Sequence, residues 1–129
     1  MSQQLYGLSK TFIVSGTTVT SGRVVKYTGT AVTIYDTITA IPLGVSMEQA
    51  DPSTTVEVML FGTVKAVANT ACSAGDVVVP ATNGSVETKA ATAYTHTSGQ
   101  KAIGIALETV TNTGATIEIL LRPEGGVQA

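Results

Sequence analysis

The sequence predicts an all-β fold: a single small antiparallel barrel or sandwich, built from two pseudo-repeats and flanked by flexible termini. Three observations support this fold class. Apolar and polar residues alternate with a period of two, β-branched residues and glycine dominate, and one pattern of strands occurs twice. The 129 residues suit one domain, and 43% hydrophobic against 12% charged residues is typical of a folded chain.

The alternation recurs in short segments separated by glycine, asparagine, aspartate and proline. The segments are RVVKYTG, TAVTIYD, PLGVSME, TTVEVMLFG, TVKAVAN, GDVVVPA, SVETKA, KAIGIALE and ATIEILLRP. Because β-branched residues fit a pleated surface better than a helix, short strands at this spacing predict an antiparallel barrel or sandwich. Residues 90–99 lack the alternation and predict a long loop or a single helical turn.

The internal repetition joins three pairs of segments. They are LGVSME (Leu43–Glu48) with IGIALE (Ile103–Glu108), VEVML (Val56–Leu60) with IEILL (Ile117–Leu121), and SGRVVKY (Ser21–Tyr27) with AGDVVVP (Ala74–Pro80). The offset is 60 residues before the last loop and 61 after it, so one residue is inserted at a turn, where insertion is tolerated. The sequence therefore predicts two copies of one β unit.

The alternation also predicts which residues face the core. The predicted core residues are Leu43, Val45, Met47, Val56 and Val58 in the first copy and Ile103, Ile105, Leu107, Ile117 and Ile119 in the second. Gly44 and Gly104 are then expected on the outer face, where a neighbouring backbone or side chain approaches closely. Asn83-Gly84 predicts a two-residue type I′ turn. Because proline donates no hydrogen bond, either a bulge intervenes or Pro80 lies at a strand end or a sheet edge, and the edge is preferred.

The recurring carboxylates are candidate catalytic groups. In a simple hairpin Glu57 lies opposite Ser46 and diagonal to Glu48, roughly 7–8 Å away, a spacing compatible with a glycosidase pair. Such a pair needs an apolar or aromatic groove, but the chain has no Trp and only 5% aromatic residues. A solvated face is the favoured interpretation for these glutamates and for their counterparts, Glu108 and Glu118.

The remaining reactive residues are isolated. His96 is the only histidine and has no partner for a metal site or a nucleophilic triad. Cys72 is the only cysteine, which excludes an internal disulfide and predicts a small buried apolar residue. The sequence thus predicts no catalytic residue, no metal site and no cofactor, and the protein is not expected to be an enzyme.

The net charge and the hydropathy of the chain restrict the classes of partner that are expected. The net charge is −2, and the seven lysines and arginines are scattered, so no basic stripe indicates nucleic-acid binding. No apolar run approaches the ~20 residues of a membrane helix. The N-terminus lacks the features of a signal peptide. A soluble protein made in the cytoplasm is expected.

Three short motifs carry a resemblance to a known family. They are Gly75-Asp76-Val77-Val78, Gly104-Ile105-Ala106-Leu107 and Leu120-Leu121-Arg122-Pro123. In this arrangement residues 12–123 resemble the capsid decoration, or cement, proteins of tailed bacteriophages. The resemblance implies a structural virion protein that binds the capsid exterior, bridges subunits of the major capsid protein and self-associates, most often as a trimer. It implies no catalytic residues.

The segments flanking the repeat are candidates for partner contact. Residues 1–11 are predicted to be an N-terminal arm, residues 12–123 the β domain and residues 124–129 a C-terminal tail. The candidate capsid or subunit contacts are Leu5, Tyr6, Leu8 and Phe12, the apolar groups least explained by the strand pattern. Two alternatives stay open: a fibre or tail-associated β module that binds a receptor or glycan, and a small hydrolase that uses the glutamates.

Overall fold

The structure is a computed structural model that describes residues 7–36, 42–88 and 102–121. Its strands are β1 (Gly7–Ile13), β2 (Val24–Tyr27), β3 (Val32–Ile34), β4 (Pro42–Ser46), β5 (Thr55–Val67), β6 (Val77–Pro80), β7 (Val86–Thr88), β8 (Gly104–Ala106) and β9 (Thr116–Leu121). Within these ranges the only helical element is one 3₁₀ turn, Thr82–Gly84. The predicted all-β fold is confirmed, whereas the loop predicted at residues 90–99 lies outside the described residues. No described helix is long and apolar enough to cross a membrane.

The strands form one curled antiparallel sheet with two similar halves. Its order is β3-β2-β4-β5-β9-β8-β6-β7, and β1 pairs with the first part of β5. The second part of β5 pairs with β9, so β5 links the halves. In each half the two edge strands meet at one parallel bridge, Val14–Val32 or Ala68–Val86. Each half is thus a small barrel-like unit, called here repeat 1 (residues 7–60) and repeat 2 (residues 62–121).

The two repeats share their strand register as well as their sequence pattern. Equivalent pairs, with repeat 1 first, are Val25–Gly44 and Val78–Gly104, Ser46–Val58 and Ala106–Ile119, and the bridges Val19–Ala50 and Cys72–Val110. The extra residue of repeat 2 falls between Val110 and Asn112, in the turn before β9. The predicted duplication is therefore confirmed in the backbone pairing.

Strand β1 also belongs to the repeat, which the sequence comparison missed. Its counterpart is the second part of β5, because Phe12 pairs with Val56 as Ala66 pairs with Ile117. Residues 7–11 of the predicted N-terminal arm belong to β1, and the boundary predicted between residues 11 and 12 falls inside this strand. The likeness of the two segments is hard to see in the sequence, since a phenylalanine in one occupies the position of an alanine in the other.

Each repeat has its own apolar core at equivalent positions. In repeat 1 the buried cluster is Val14, Val19, Val25, Val32, Ala50, Val56 and Val58. The counterparts in repeat 2 are Ala68, Cys72, Val78, Val86, Ile117 and Ile119, with Val110 partly buried against them. The burial predicted for the paired valines of β5, for both isoleucines of β9 and for Cys72 is confirmed.

The facing predicted for β4 and β8 is wrong in part. Gly44 and Gly104 are buried, and they pair with the core residues Val25 and Val78 on the inner side of each barrel. A β-carbon at either glycine would overlap a backbone carbonyl oxygen of the next strand. The predicted close approach of a neighbouring backbone is thus confirmed, but the predicted outer face is not. Val45 is buried even though it points away from its own barrel, since it joins the apolar cluster of repeat 2.

The residues that directly follow β4 and β8 are exposed, although the sequence predicted them to be buried. Met47 is 42% exposed and Leu107 is 43% exposed. The reason is that β4 ends at Ser46 and β8 ends at Ala106, so neither side chain is covered by a neighbouring strand. Leu43 and Ile105 are only half-buried, whereas Ile103 is fully buried.

The hairpin between β6 and β7 has the predicted backbone angles but a longer turn. Asn83 and Gly84 have φ of 59° and 74°, the left-handed values that Asn-Gly suits. The Ser85 carbonyl accepts a hydrogen bond from the Ala81 N–H at 2.7 Å, so the connection exceeds two residues. Pro80 pairs with Val86 and ends β6 beyond the residues that pair with β8; it lies at a strand end and not on an edge strand.

Candidate functional site

Two of the four predicted contact residues lie within the described ranges, both on β1. Leu8 is 52% exposed. Phe12 is only half-buried but packs against the core of repeat 1, with the edge of its ring toward Tyr27 at a centroid distance of 5.8 Å. Leu5 and Tyr6 lie outside the described residues. Of the two described residues, Leu8 is thus the exposed one, whereas Phe12 packs against the core of repeat 1.

Sequence reasoning missed the residue beside Leu8. Phe61 lies opposite Leu8 on β5 and is equally exposed, at 52%. Single exposed apolar side chains are common, but two large ones side by side form a patch of the kind that marks interaction sites. The run VEVMLFG gave no sign of this, since its alternation is that of a core strand. The Leu8–Phe61 pair is the first candidate contact surface.

The recurring glutamates have a structural role in both repeats. The Glu48 carboxylate accepts a hydrogen bond from the backbone N–H of Glu57 at 3.3 Å. The Glu108 carboxylate accepts the equivalent bond from Glu118 at 2.9 Å. Each glutamate follows a strand and ties it to the returning strand, which explains why the Gly-to-Glu motif occurs twice.

The register expected for these glutamates is wrong by one residue. Ser46 pairs with Val58 instead of Glu57, and the Glu57 carbonyl accepts a hydrogen bond from the Met47 N–H at 2.9 Å. The Glu57 side chain is exposed and accepts a hydrogen bond from the Ser9 hydroxyl at 2.5 Å. The carboxylates of repeat 1 thus bind groups of the sheet itself, and they do not face each other across a groove.

The other residues that were candidates for reactive chemistry do not form a reactive site within the described residues. Burial raises the pKa of the Cys72 thiol, and the negative charge of Asp76 raises it further. Cys72 is buried and not in a disulfide. Within the three described ranges, no three potential metal-ligating side chains cluster together. His96 lies outside the described residues.

The two repeats meet along a seam with both polar and apolar contacts. Arg23 donates from its guanidinium to the Asn83 carbonyl at 3.2 Å, and the Val67 N–H donates to the Gly22 carbonyl at 3.1 Å. Tyr35 is buried with the core of repeat 2, and burial followed by the charge of Asp36 raises its pKa to about 12. An open cleft of about 240 Å³ follows the seam, lined by Arg23, Val67, Ala68, Asn69, Asn83, Ser85, Thr113 and Gly114.

The sequence profile of the phage cement protein family matches residues 6–121, nearly the whole described fold. The chain belongs to the phage cement protein family. A crystal structure of the N base of the head fibre gp8.5 in bacteriophage phi29 resembles the cement protein with a TM-score of 0.65 and 17% sequence identity. The match covers 89% of this chain and 93% of that chain; at this identity it shows a shared fold. No curated protein matches the sequence.

The family settles the broad role that the motifs indicated. The cement protein is a structural component of a bacteriophage virion, associated with the capsid. The matched range includes β1 and every other strand of both repeats, so the family unit is the complete double repeat.

Proposed function

We propose that this cement protein binds the outside of a phage capsid and stabilises the shell by bridging subunits of the major capsid protein. Family membership over residues 6–121 is the observation that carries the proposal. The protein is made in the host cytoplasm, joins the virion exterior as a homo-oligomer, with a trimer as the expected state, and performs no catalysis.

The composition and fold suit a non-covalent clamp. A shell repeats the same site many times, so a modest interface energy per copy becomes large when several contacts are made together. The protein supplies a compact β scaffold with a net charge of −2 and no basic stripe. Its contacts with the shell therefore rely on apolar anchors and hydrogen bonds more than on long-range charge attraction.

The Leu8–Phe61 pair is the proposed anchor. Large apolar side chains that are half exposed in the free protein and buried in a complex contribute strongly to binding. Leu5 and Tyr6 immediately precede β1 in the sequence, so they extend the same apolar set. The proposed contact thus contains three of the four predicted residues together with Phe61, and Phe12 is excluded because it packs inward.

Co-sedimentation with undecorated expanded heads tests the proposal. Full-length protein should pellet with the heads and raise their resistance to heat. Leu8→Ser/Phe61→Ser should weaken binding at least about 10-fold, because two anchors are lost together. Met47→Ser is the matched control, since Met47 is an exposed apolar residue away from the pair.

The N-terminal residues need a separate deletion. Removing residues 2–6 leaves β1 intact, whereas removing residues 2–10 also deletes part of β1. If full-length protein stays in the supernatant, the capsid proposal is wrong. If the Leu8→Ser/Phe61→Ser variant and the deletion both pellet like the wild type, capsid binding stands and the anchor assignment is wrong.

A second candidate function has one observation in its favour. The fold is shared with the N base of a phage head fibre, and the seam cleft offers polar groups to a ligand. The protein would then act as a fibre or tail-associated module that binds a receptor or glycan. Binding on a glycan array by the wild type, lost on Arg23→Ala, would favour this role over the shell clamp.

A further inference from the structure

The two repeats contact each other asymmetrically. In repeat 1 the outer side of β2 and β4 is covered, and Val24 and Val45 are both 0% exposed. Both valines belong to the apolar cluster of repeat 2. Three further parts of repeat 2 lie against residues 22–24: the backbone at Lys65, the side chain of Val67 and the turn that contains Asn83 and Gly84. A β-carbon added at Gly84 would lie 2.7 Å from the Val24 carbonyl oxygen, which shows how closely the turn approaches β2.

The equivalent surface of repeat 2 is not covered by any part of residues 7–36, 42–88 and 102–121. It is called here the open face and consists of Gly75, Asp76, Val77 and Ile105, the counterparts of Gly22, Arg23, Val24 and Val45. Val77 is 41% exposed, and Ile105 is only half-buried. A β-carbon added at Gly75 would meet nothing within 4 Å, whereas one at Gly22 would meet three atoms of residues 65–67 within 3.6 Å.

Repeat 1 carries the counterparts of these covering parts, and among the described residues nothing packs on them in the way that repeat 1 packs on the originals. They are called here the covering edge: Thr11, Ile13 and the β2–β3 turn at residues 28–31. Ile13 corresponds to Val67 by strand register and is 51% exposed. At Gly29, in the turn, an added β-carbon would meet nothing within 4 Å. The chain thus presents both sides of its own internal contact, at separate places on its surface.

We propose that a second copy of this chain places its covering edge on the open face and repeats between molecules the contact that joins the repeats. A two-fold relation between the repeats would cover both faces within one chain. Only one face is covered, so the contact is head-to-tail and joins copies into a ring or an open chain. The inference follows from the repeat geometry and does not depend on the capsid.

At the proposed contact the hydrogen-bond donor of the internal contact is replaced by an acceptor, and the incoming turn offers a donor. Within the chain Arg23 donates to the turn of repeat 2, but its counterpart on the open face is Asp76, an acceptor. The incoming β2–β3 turn contains Thr30, an exposed residue with a hydroxyl donor. The Ile13 N–H would donate to the Gly75 carbonyl of the other copy, as the Val67 N–H donates to Gly22 within the chain.

Sedimentation velocity of the full-length protein, without heads, tests the inference. The wild type should sediment as a species larger than a monomer. Val77→Lys and Ile13→Lys should each weaken association at least about 100-fold, because either substitution would bring a charged ammonium group into an apolar part of the contact. Leu107→Lys should leave association unchanged: Leu107 is as exposed as Val77, but its counterpart, Met47, stays uncovered in repeat 1.

Mixing the two interface variants tests the head-to-tail arrangement. Each variant keeps one intact side, so an equimolar mixture of Val77→Lys and Ile13→Lys should form pairs with one good contact and stop there. Circular dichroism and the melting temperature check that each variant is folded. A monomeric wild type, or a folded Val77→Lys variant that associates like the wild type, would overturn the inference. Dissociation by Leu107→Lys would also overturn it.

Discussion

Repeat 1 and repeat 2 have the same strand register, but they fill their barrels with different side chains. At one cross-strand pair repeat 1 has Phe12 opposite Val56, and repeat 2 has Ala66 opposite Ile117. A large residue beside a smaller one has been exchanged for a small residue beside a larger one. The exchange does not conserve volume, because isoleucine adds one methylene group to valine whereas alanine lacks the phenyl ring of phenylalanine. The apolar cluster of repeat 2 also contains Val24, Tyr35 and Val45 of repeat 1, so the same backbone register encloses two different core contents.

The glycines of β4 and β8 do not vary in this way. Gly44 and Gly104 occupy equivalent sites where the carbonyl of the crossing strand leaves no room for a β-carbon. The comparison teaches that these two barrels are defined by backbone contacts, whereas their apolar contents are exchangeable. Substitutions at the glycines should therefore have the largest effect, truncation of a core residue an intermediate effect, and replacement of a core residue by a counterpart of similar size the smallest effect.

The largest effect is expected from alanine at the two buried glycines. Gly44→Ala and Gly104→Ala should each lower the free energy of unfolding by at least about 3 kcal/mol, since the added methyl group overlaps backbone that cannot rotate away. Urea unfolding followed by circular dichroism measures both values. The two losses should be similar if the repeats are equivalent in their backbone packing.

Gly29→Ala is the control for this pair. Gly29 has a φ of 107°, so alanine there is strained, but open space surrounds it and the cost should stay near 1–2 kcal/mol. A well-tolerated alanine at position 44 or at position 104, with the other destabilising, would show that the two barrels are not equivalent.

The sequence predicted the strands and the duplication well because alternation and turn residues are local signals. It did not predict the side on which Val45 and Gly44 lie. Alternation separates two faces but does not decide which is inside when both are buried. Strand β1 was missed for the same kind of reason: the size exchange at Phe12 and Ala66 hides the likeness of two segments that the barrel places identically.

The contact surfaces depended on tertiary packing and could be predicted only in part. Leu8 was found because it lies outside the evident repeats, but Phe61 was hidden inside a run typical of a core strand. Val24 and Val77 share a Gly-x-Val-Val context, yet one is 0% and the other 41% exposed, because only repeat 1 is covered by the other repeat. No local pattern encodes that difference.

An intermediate effect is expected when one repeat is given the other's core pair. Phe12→Ala should cost about 2–4 kcal/mol by leaving a cavity, and Val56→Ile alone about 1 kcal/mol by overpacking. Together they recreate the Ala66–Ile117 pair, so the double variant should be about 1 kcal/mol more stable than the sum of the single effects. Double-mutant cycles from urea unfolding give this coupling.

A mismatched pair shows whether the coupling is local. Phe12→Ala combined with Val78→Ile enlarges the core of repeat 2 instead, and these two changes should be additive because the sites lie in different clusters. Additive behaviour of Phe12→Ala with Val56→Ile would mean that volume exchange does not explain how the two cores diverged.

The smallest effect is expected at Cys72, where repeat 1 has Val19. Cys72→Val should change the free energy of unfolding by less than about 1 kcal/mol near neutral pH, since the two side chains are similar in size and both sites are buried. The difference between the proteins should appear at alkaline pH. Burial raises the pKa of the Cys72 thiol above its ordinary value of 9.0, so the folded protein keeps a proton that the unfolded chain loses.

Above that ordinary value the unfolded wild type binds fewer protons than the folded one, and its stability falls as pH rises. The valine variant lacks this term and should become the more stable protein at about pH 10. Tyr35, whose pKa of about 12 acts in the same direction, is present in both proteins and cancels in the difference. Val19→Cys is the matched test, because a thiol moved to the same site in repeat 1 should acquire the same loss. Urea unfolding at the two pH values decides the matter. A Cys72→Val profile parallel to that of the wild type would show that burial does not raise the pKa of the Cys72 thiol. If only the Val19→Cys profile parallels that of the wild type, the two sites do not exclude water equally from a thiol.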